Sequence, residues 1–292
     1  MKNLFMGLFF SFYFFSVNTF SSTKIENQTE IKSDIAEVLT QQYNNIAKDC
    51  GDAQSPAFLC SGILIRGIRG SGYKFWSVAP ASKTNNGVSF SYLRKDAKFN
   101  ALFNSRRGFI LFPNQMIPKD TVEIQALCSY PVDANTWNRG FLVHNYCGVP
   151  VVITDPKKDY SCQDFGILTA KKYKNSFNIR GAWGVCAMDV RSTAKNPAEG
   201  FLTTLEVMRS RLGLPYNEIV LQPWDDANPQ KLPVEALFSI NGLELNEAQK
   251  DQRDYKNATG KFIPIIRIKL PSNTREDAVF IFNSKDQVVS NK

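Results

Sequence analysis

Between Glu30 and Lys48 the apolar residues Ile31, Ile35, Val38, Leu39, Tyr43 and Ile46 recur at steps of three and four. That period predicts an amphipathic helix whose stripe packs on a core, with Gly51 as a stop signal. Ala57 to Ile68 and Val88 to Leu93 instead read as strands. In the second of these, alternation puts Ser89 and Ser91 on one face. Gly108–Phe112, Val122–Leu127, Trp183–Val190, Glu218–Leu221, Val234–Ile240, Phe262–Leu270 and Ala278–Phe282 are further strand candidates. Pro264 demotes the start of its run to an edge or an entry. Phe201, Leu202, Leu205 and Met208 predict a helix over Ala198–Leu212, ended by Gly213-Leu214-Pro215. Leu245–Tyr255 is polar and helical in pattern, and Ser129–Ser176 is rich in Asn, Asp, Gly, Pro and Lys and reads as loops. With no internal repeat and no Ser/Gly linker, these elements predict one α+β domain over residues 50–292. It has a single mixed or antiparallel β core, flanking helices and disulfide-stapled loops, with residues 22–49 as an N-terminal helical segment.

The first residues stand apart. Lys2 precedes a phenylalanine-rich apolar run, Leu4 to Val17, and Thr19 and Ser21 occupy small-residue positions before a cut. This is the pattern of a secretory signal peptide over residues 1–21. The run is shorter than the roughly 20 apolar residues of a membrane span, so no span is expected after its removal. The expected location is outside the cell or in the periplasm. All six cysteines, Cys50, Cys60, Cys128, Cys147, Cys162 and Cys186, follow the apolar run. In an oxidising compartment an even set reads as disulfides. Many connectivities are open. Neighbour pairing, Cys50–Cys60, Cys128–Cys147 and Cys162–Cys186, is expected because each pair closes a loop poor in regular pattern. No metal is expected: the chain has no Cys-x-x-Cys and one histidine, His144.

The net charge of +8 suits an anionic partner. The basic residues are scattered along the chain, which argues against nucleic acid. The glycines after Arg66 fit neither a Walker loop nor a dinucleotide fingerprint, and no Gly-x-Ser-x-Gly elbow occurs. Three features remain. Arg66 stands at the end of a strand, where a guanidinium grips phosphate with paired hydrogen bonds. Ser89 and Ser91, followed by Tyr92, offer hydroxyls that hold a ribose or orient a carboxylate. Gln249-Lys250-Asp251, in the polar segment before a late strand, supplies a carboxylate able to stabilise an oxocarbenium-like sugar cation.

In that order along the chain, the three resemble the Arg–Ser–Glu layout of the ADP-ribosyltransferase toxins, which split the nicotinamide–ribose bond of NAD. The stretches "PAFLCSGILIRGI", "GVSFSYLRKDAKF" and "YKNATGKFIPIIRIKLP" are similar to the halovibrin family of secreted bacterial proteins, over roughly Cys50 to Phe282. The resemblance implies an ADP-ribosyltransferase-like fold. It also implies NAD glycohydrolase or mono-ADP-ribosyltransferase activity in a secreted virulence factor or toxin. NAD is then substrate, no resident cofactor is required, and the acceptor is water or a host protein. On this reading Arg66, Ser91 and Tyr92 bind NAD, Ser89 orients the acid, Asp251 is the acid and Gln249 selects the acceptor. The toxins carry Glu-x-Glu or Gln-x-Glu where this chain has Gln-x-Asp, one methylene short. Glu247, Asp254 and Glu235 are the other candidate carboxylates and Arg69 the other candidate arginine. The competing expectation is a secreted, non-enzymatic binder that meets a glycan or host protein through Tyr73, Phe75 and Trp76.

Overall fold

The structure is a computed structural model that describes residues 34–70, 73–84, 86–102, 104–113, 121–132, 161–180, 186–210 and 216–288. The signal-peptide run, His144, Cys147 and the stop signal at Gly213 lie outside these residues. The strands are β1 (Ile63–Gly67), β2 (Val88–Leu93), β3 (Arg107–Leu111), β4 (Ala126–Tyr130), β5 (Met188–Asp189), β6 (Glu218–Leu221), β7 (Val234–Ile240), β8 (Ile265–Lys269) and β9 (Val279–Phe282). The helices are α1 (Ile35–Asn44), α2 (Pro80–Thr84), α3 (Ala170–Arg180), α4 (Pro197–Arg209) and α5 (Leu245–Thr259).

The strands form one mixed sheet in the order β5-β4-β6-β2-β1-β3-β7-β8-β9. β7 and β8 run parallel, and the other paired strands are antiparallel. A parallel pair needs a long crossover, which α5 supplies. Gly260 ends α5 in the left-handed region, at φ 72°, where glycine carries no Cβ penalty.

Strand alternation divides the core between the two faces of the sheet. Leu64, Phe90, Tyr92, Phe109, Ile219 and Leu221 pack with Phe201 and Leu205 of α4 and Ala248 and Tyr255 of α5. On the other face Ile63, Ile65, Ile110, Phe238 and Ile266 pack with Leu39 and Tyr43 of α1. Each such aliphatic or aromatic side chain contributes about 1.5–3 kcal/mol by leaving water. A close approach at the end of β1 depends on Gly108: a Cβ there would stand 1.9 Å from the Arg66 carbonyl oxygen.

Several elements differ from their expected extents. Ala57–Leu59 is a 3₁₀ turn, so the first strand begins only at Ile63. The cause is local: the Cys50–Cys60 disulfide closes the preceding loop, and Gly62 turns the chain with φ +67°. Val122 donates its N–H to the Lys231 carbonyl, and strand pairing starts at Ala126. β5 has two residues, and β8 begins after Pro264, whose carbonyl still accepts from Leu237 N–H at 2.8 Å. Ser129 and Tyr130 belong to β4 rather than to a loop, and α3 occupies the end of the segment expected to be irregular. α3 escapes the periodicity argument because in its first turns Tyr173 alone is buried, which gives no stripe to read.

Cys50–Cys60 and Cys162–Cys186 are disulfide-bonded, as neighbour pairing predicts. The expected Cys128–Cys147 bridge involves a residue outside the described set. No helix among the described residues is long and apolar enough to cross a membrane.

Candidate functional site

Three adjacent strands of the sheet bring Arg66, Ser89 and Glu218 together. Arg66 is the fourth residue of β1, where the strand leaves the core, and it is half-buried. Its Nη1 donates to the Ser89 carbonyl oxygen at 2.6 Å, and its guanidinium carbon lies 5.9 Å from the Phe90 ring centroid. The charge is therefore anchored to β2 through a main-chain oxygen and backed by an aromatic ring. Ser89 Oγ in turn donates to Glu218 Oε1 at 2.8 Å. The β2–β6 register pairs Ser89 with Val220 and Phe90 with Ile219. Alternation then sets Glu218 on the same face as Val220, within reach of the Ser89 hydroxyl.

Glu218 is 2% exposed. A carboxylate in such a place must be hydrogen-bonded to offset the loss of water. The hydroxyl of Ser89 contributes that and fixes the direction of the carboxylate. The arrangement links a fixed cation and an oriented carboxylate through one serine, the cation leaving β1 on the Phe109 face and the carboxylate leaving β6 on the Val220 face.

The carboxylate expected at Ser89, Asp251, is elsewhere. It projects from α5 to Arg107 Nη1, and Arg107 Nη2 also donates to the Gly70 carbonyl at 3.3 Å. Asp251 is 9% exposed, and burial pushes its carboxyl up to about 6, with Arg107 opposing the rise. Gln249 donates from Nε2 to the Asp286 carbonyl at 3.1 Å, which ties α5 to the chain after β9. Asp254 pairs with Lys74, and Glu247 is exposed on α5. Arg69 is exposed in the loop after β1. Glu235 is 3% exposed and accepts from Gln42 Nε2 of α1 at 3.2 Å, far along the sheet from Ser89. Its other oxygen has no hydrogen-bond partner, and burial pushes its carboxyl up to about 7.

Ser91 is buried beside Ile65 of β1. Tyr92 is 1% exposed, stacks edge-on against Phe201, and donates its hydroxyl to the Ser61 carbonyl at 3.0 Å. Burial pushes its hydroxyl up to about 12. Its side chain thus faces the core, because residues 88, 90 and 92 share the face covered by α4. Phe75 and Trp76, expected on a binding surface, are core residues at 4% and 8% exposure; Tyr73 alone of that trio is exposed.

Two residues that matter most escaped the sequence reading. Glu218 opens a strand that is otherwise apolar, and a carboxylate at that position was the available signal. Arg107 similarly heads β3, one residue before the strand expected from the pattern. Among the described residues no group of three or more His, Cys, Asp and Glu side chains is arranged to hold a metal ion. No protein-family model matches the chain, and no curated protein matches it either.

Proposed function

We propose that this chain is an exported NAD glycohydrolase in which Glu218, rather than Asp251, is the acid. The observation that carries this reading is the hydrogen bond from Ser89 Oγ to Glu218 Oε1 at 2.8 Å, with Arg66 fastened to the carbonyl of the same serine at 2.6 Å. It fits the Arg–Ser–Glu division of labour. Arg66 supports the NAD diphosphate or adjoining ribose. Ser89 aims the carboxylate, and the carboxylate stabilises the ribosyl cation as the C–N bond to nicotinamide breaks. Nicotinamide leaves with the bonding electron pair. Water adds to the ribosyl carbon and loses a proton, giving ADP-ribose.

Water is the preferred acceptor. In the toxin layout a Glu or Gln stands two residues before the acid. Here that residue is Tyr216, which is partly buried against the sheet and has neither a carboxylate nor a carboxamide to direct a protein nucleophile. The disulfides Cys50–Cys60 and Cys162–Cys186 support an oxidising destination.

The test is incubation of folded, oxidised protein with an NAD analogue that fluoresces on loss of nicotinamide. Turnover with free ADP-ribose as product is expected. Absence of turnover overturns the reading, and label retained on an added protein from radioactive NAD replaces hydrolysis with transfer.

A further inference from the structure

The residue before Glu218 makes an unusual contact. Continuing the β2–β6 register from Val88↔Leu221, Ser89↔Val220 and Phe90↔Ile219 sets Asn217 opposite Tyr92. The two chains are joined there by a side chain. Asn217 Oδ1 accepts from the Tyr92 N–H at 2.6 Å, and Asn217 Nδ2 donates to the Tyr92 carbonyl at 2.6 Å. The carboxamide copies a peptide group, giving and receiving one hydrogen bond each. At Asn217, one residue before β6 begins, the link to β2 is thus a side chain rather than a main-chain pair. Asn217 and Tyr92 are each 1% exposed, so neither bond is exchanged for water without cost. Nδ2 also lies 3.3 Å from Met208 Sδ, in the last turn of α4.

We infer that Asn217 is a positioning residue for Glu218: its carboxamide clamp on the Tyr92 main chain sets where β6 begins, and so holds the next side chain against Ser89 Oγ. The inference rests on the glycohydrolase reading for its consequence in turnover, but the clamp itself is tested without it. Only a carboxamide both donates and accepts here. Aspartate lacks the donor, alanine lacks both, and glutamine keeps both while lengthening the reach by one methylene.

The experiment uses the full oxidised chain as wild type, Asn217→Ala, Asn217→Gln and Ser89→Ala. Turnover of the fluorogenic NAD analogue is measured beside the titration of the Glu218 carboxyl by ¹³C NMR. A displacement of about 1 Å at a reacting group costs about 100-fold. Asn217→Ala and Asn217→Gln are therefore expected to lower kcat about 100-fold with KM within about twofold. In both, the Glu218 carboxyl is expected to titrate at higher pH, as in Ser89→Ala, because a hydrogen bond to the ionised form has been loosened. If Asn217→Ala does not fold, the glutamine variant carries the test. A folded variant with wild-type kcat and unmoved Glu218 titration overturns the inference. Wild-type protein without turnover, but with Glu218 titration moved by Asn217→Gln, keeps the clamp and removes the glycohydrolase reading.

Discussion

Two nearly sealed carboxylates, Glu218 at 2% exposure and Asp251 at 9%, make opposite use of burial. Asp251 meets the guanidinium of Arg107, which also holds the Gly70 carbonyl. That contact joins α5, β3 and the loop after β1, and Lys74–Asp254 adds a second tie between the same loop and helix. Glu218 meets the hydroxyl of Ser89. The first contact is an ion pair, and the second is a hydrogen bond that fixes the direction of the carboxylate. The first arrangement suits a structural tie. The second suits a group that meets a cation formed during a reaction.

The largest effect that would break this contrast is on turnover. Glu218→Gln keeps the shape and the contact with Ser89 but removes the charge. It is expected to lower kcat about 1,000-fold, as loss of a transition-state electrostatic group does, with an unfolding midpoint near wild type. Activity close to wild type would leave Glu218 without a chemical role. Asp251→Ala should do the reverse. Taking Asp251 from Arg107, whose remaining carboxylate is Glu244 at 3.6 Å, is expected to destabilise by about 1–3 kcal/mol, measured by urea unfolding, while kcat per folded molecule stays within about threefold of wild type. A 1,000-fold loss in folded Asp251→Ala would return the acid to α5.

Glu235 sharpens the comparison as a carboxyl that has neither a guanidinium nor a serine. Its folded value of about 7 lies above the ordinary 4.5. The folded state therefore binds more protons than the unfolded state between those values, and stability falls as pH rises through them. Relative to Glu235→Gln, the wild-type protein is expected to lose roughly 2–3 kcal/mol between about pH 4.5 and pH 8. Urea midpoints of both proteins across that range measure it, and a constant gap would contradict it. The smallest effect is expected for Arg66→Ala. KM for NAD should rise about tenfold, the worth of one charge-assisted hydrogen bond, with a lesser fall in kcat as the Ser89 carbonyl loses its donor. An unchanged KM would remove Arg66 from the substrate site.

Much of the frame was legible because it rests on period. The two-residue alternation of Val88–Leu93, the largely apolar run Val234–Ile240 and the stripe of Ala198–Leu212 each match a described element closely. The site was half legible. Arg66 and Ser89 were found because each lies inside a patterned strand and has an unusual chemistry for its place. For the acid, the sequence points to the polar stretch around Asp251, where carboxylates are dense. Density in a helix marks a solvated or ion-paired face, and Glu247 and Asp254 occupy such a face. The carboxylate that meets Ser89 stands alone at the head of an apolar strand, a local signal that marks its position but not its partner.

The sequence by itself determined most of the strands, the helices that carry an apolar stripe, and that Arg66 stands near the end of a buried strand, because these follow from side-chain spacing within one segment; α2, which buries no residue, and α3 it did not. Only the tertiary structure decided that β6 lies against β2 and that Arg107 claims Asp251. Strand neighbours and ion-pair partners are fixed by packing between segments more than a hundred residues apart, for which a linear pattern carries no register.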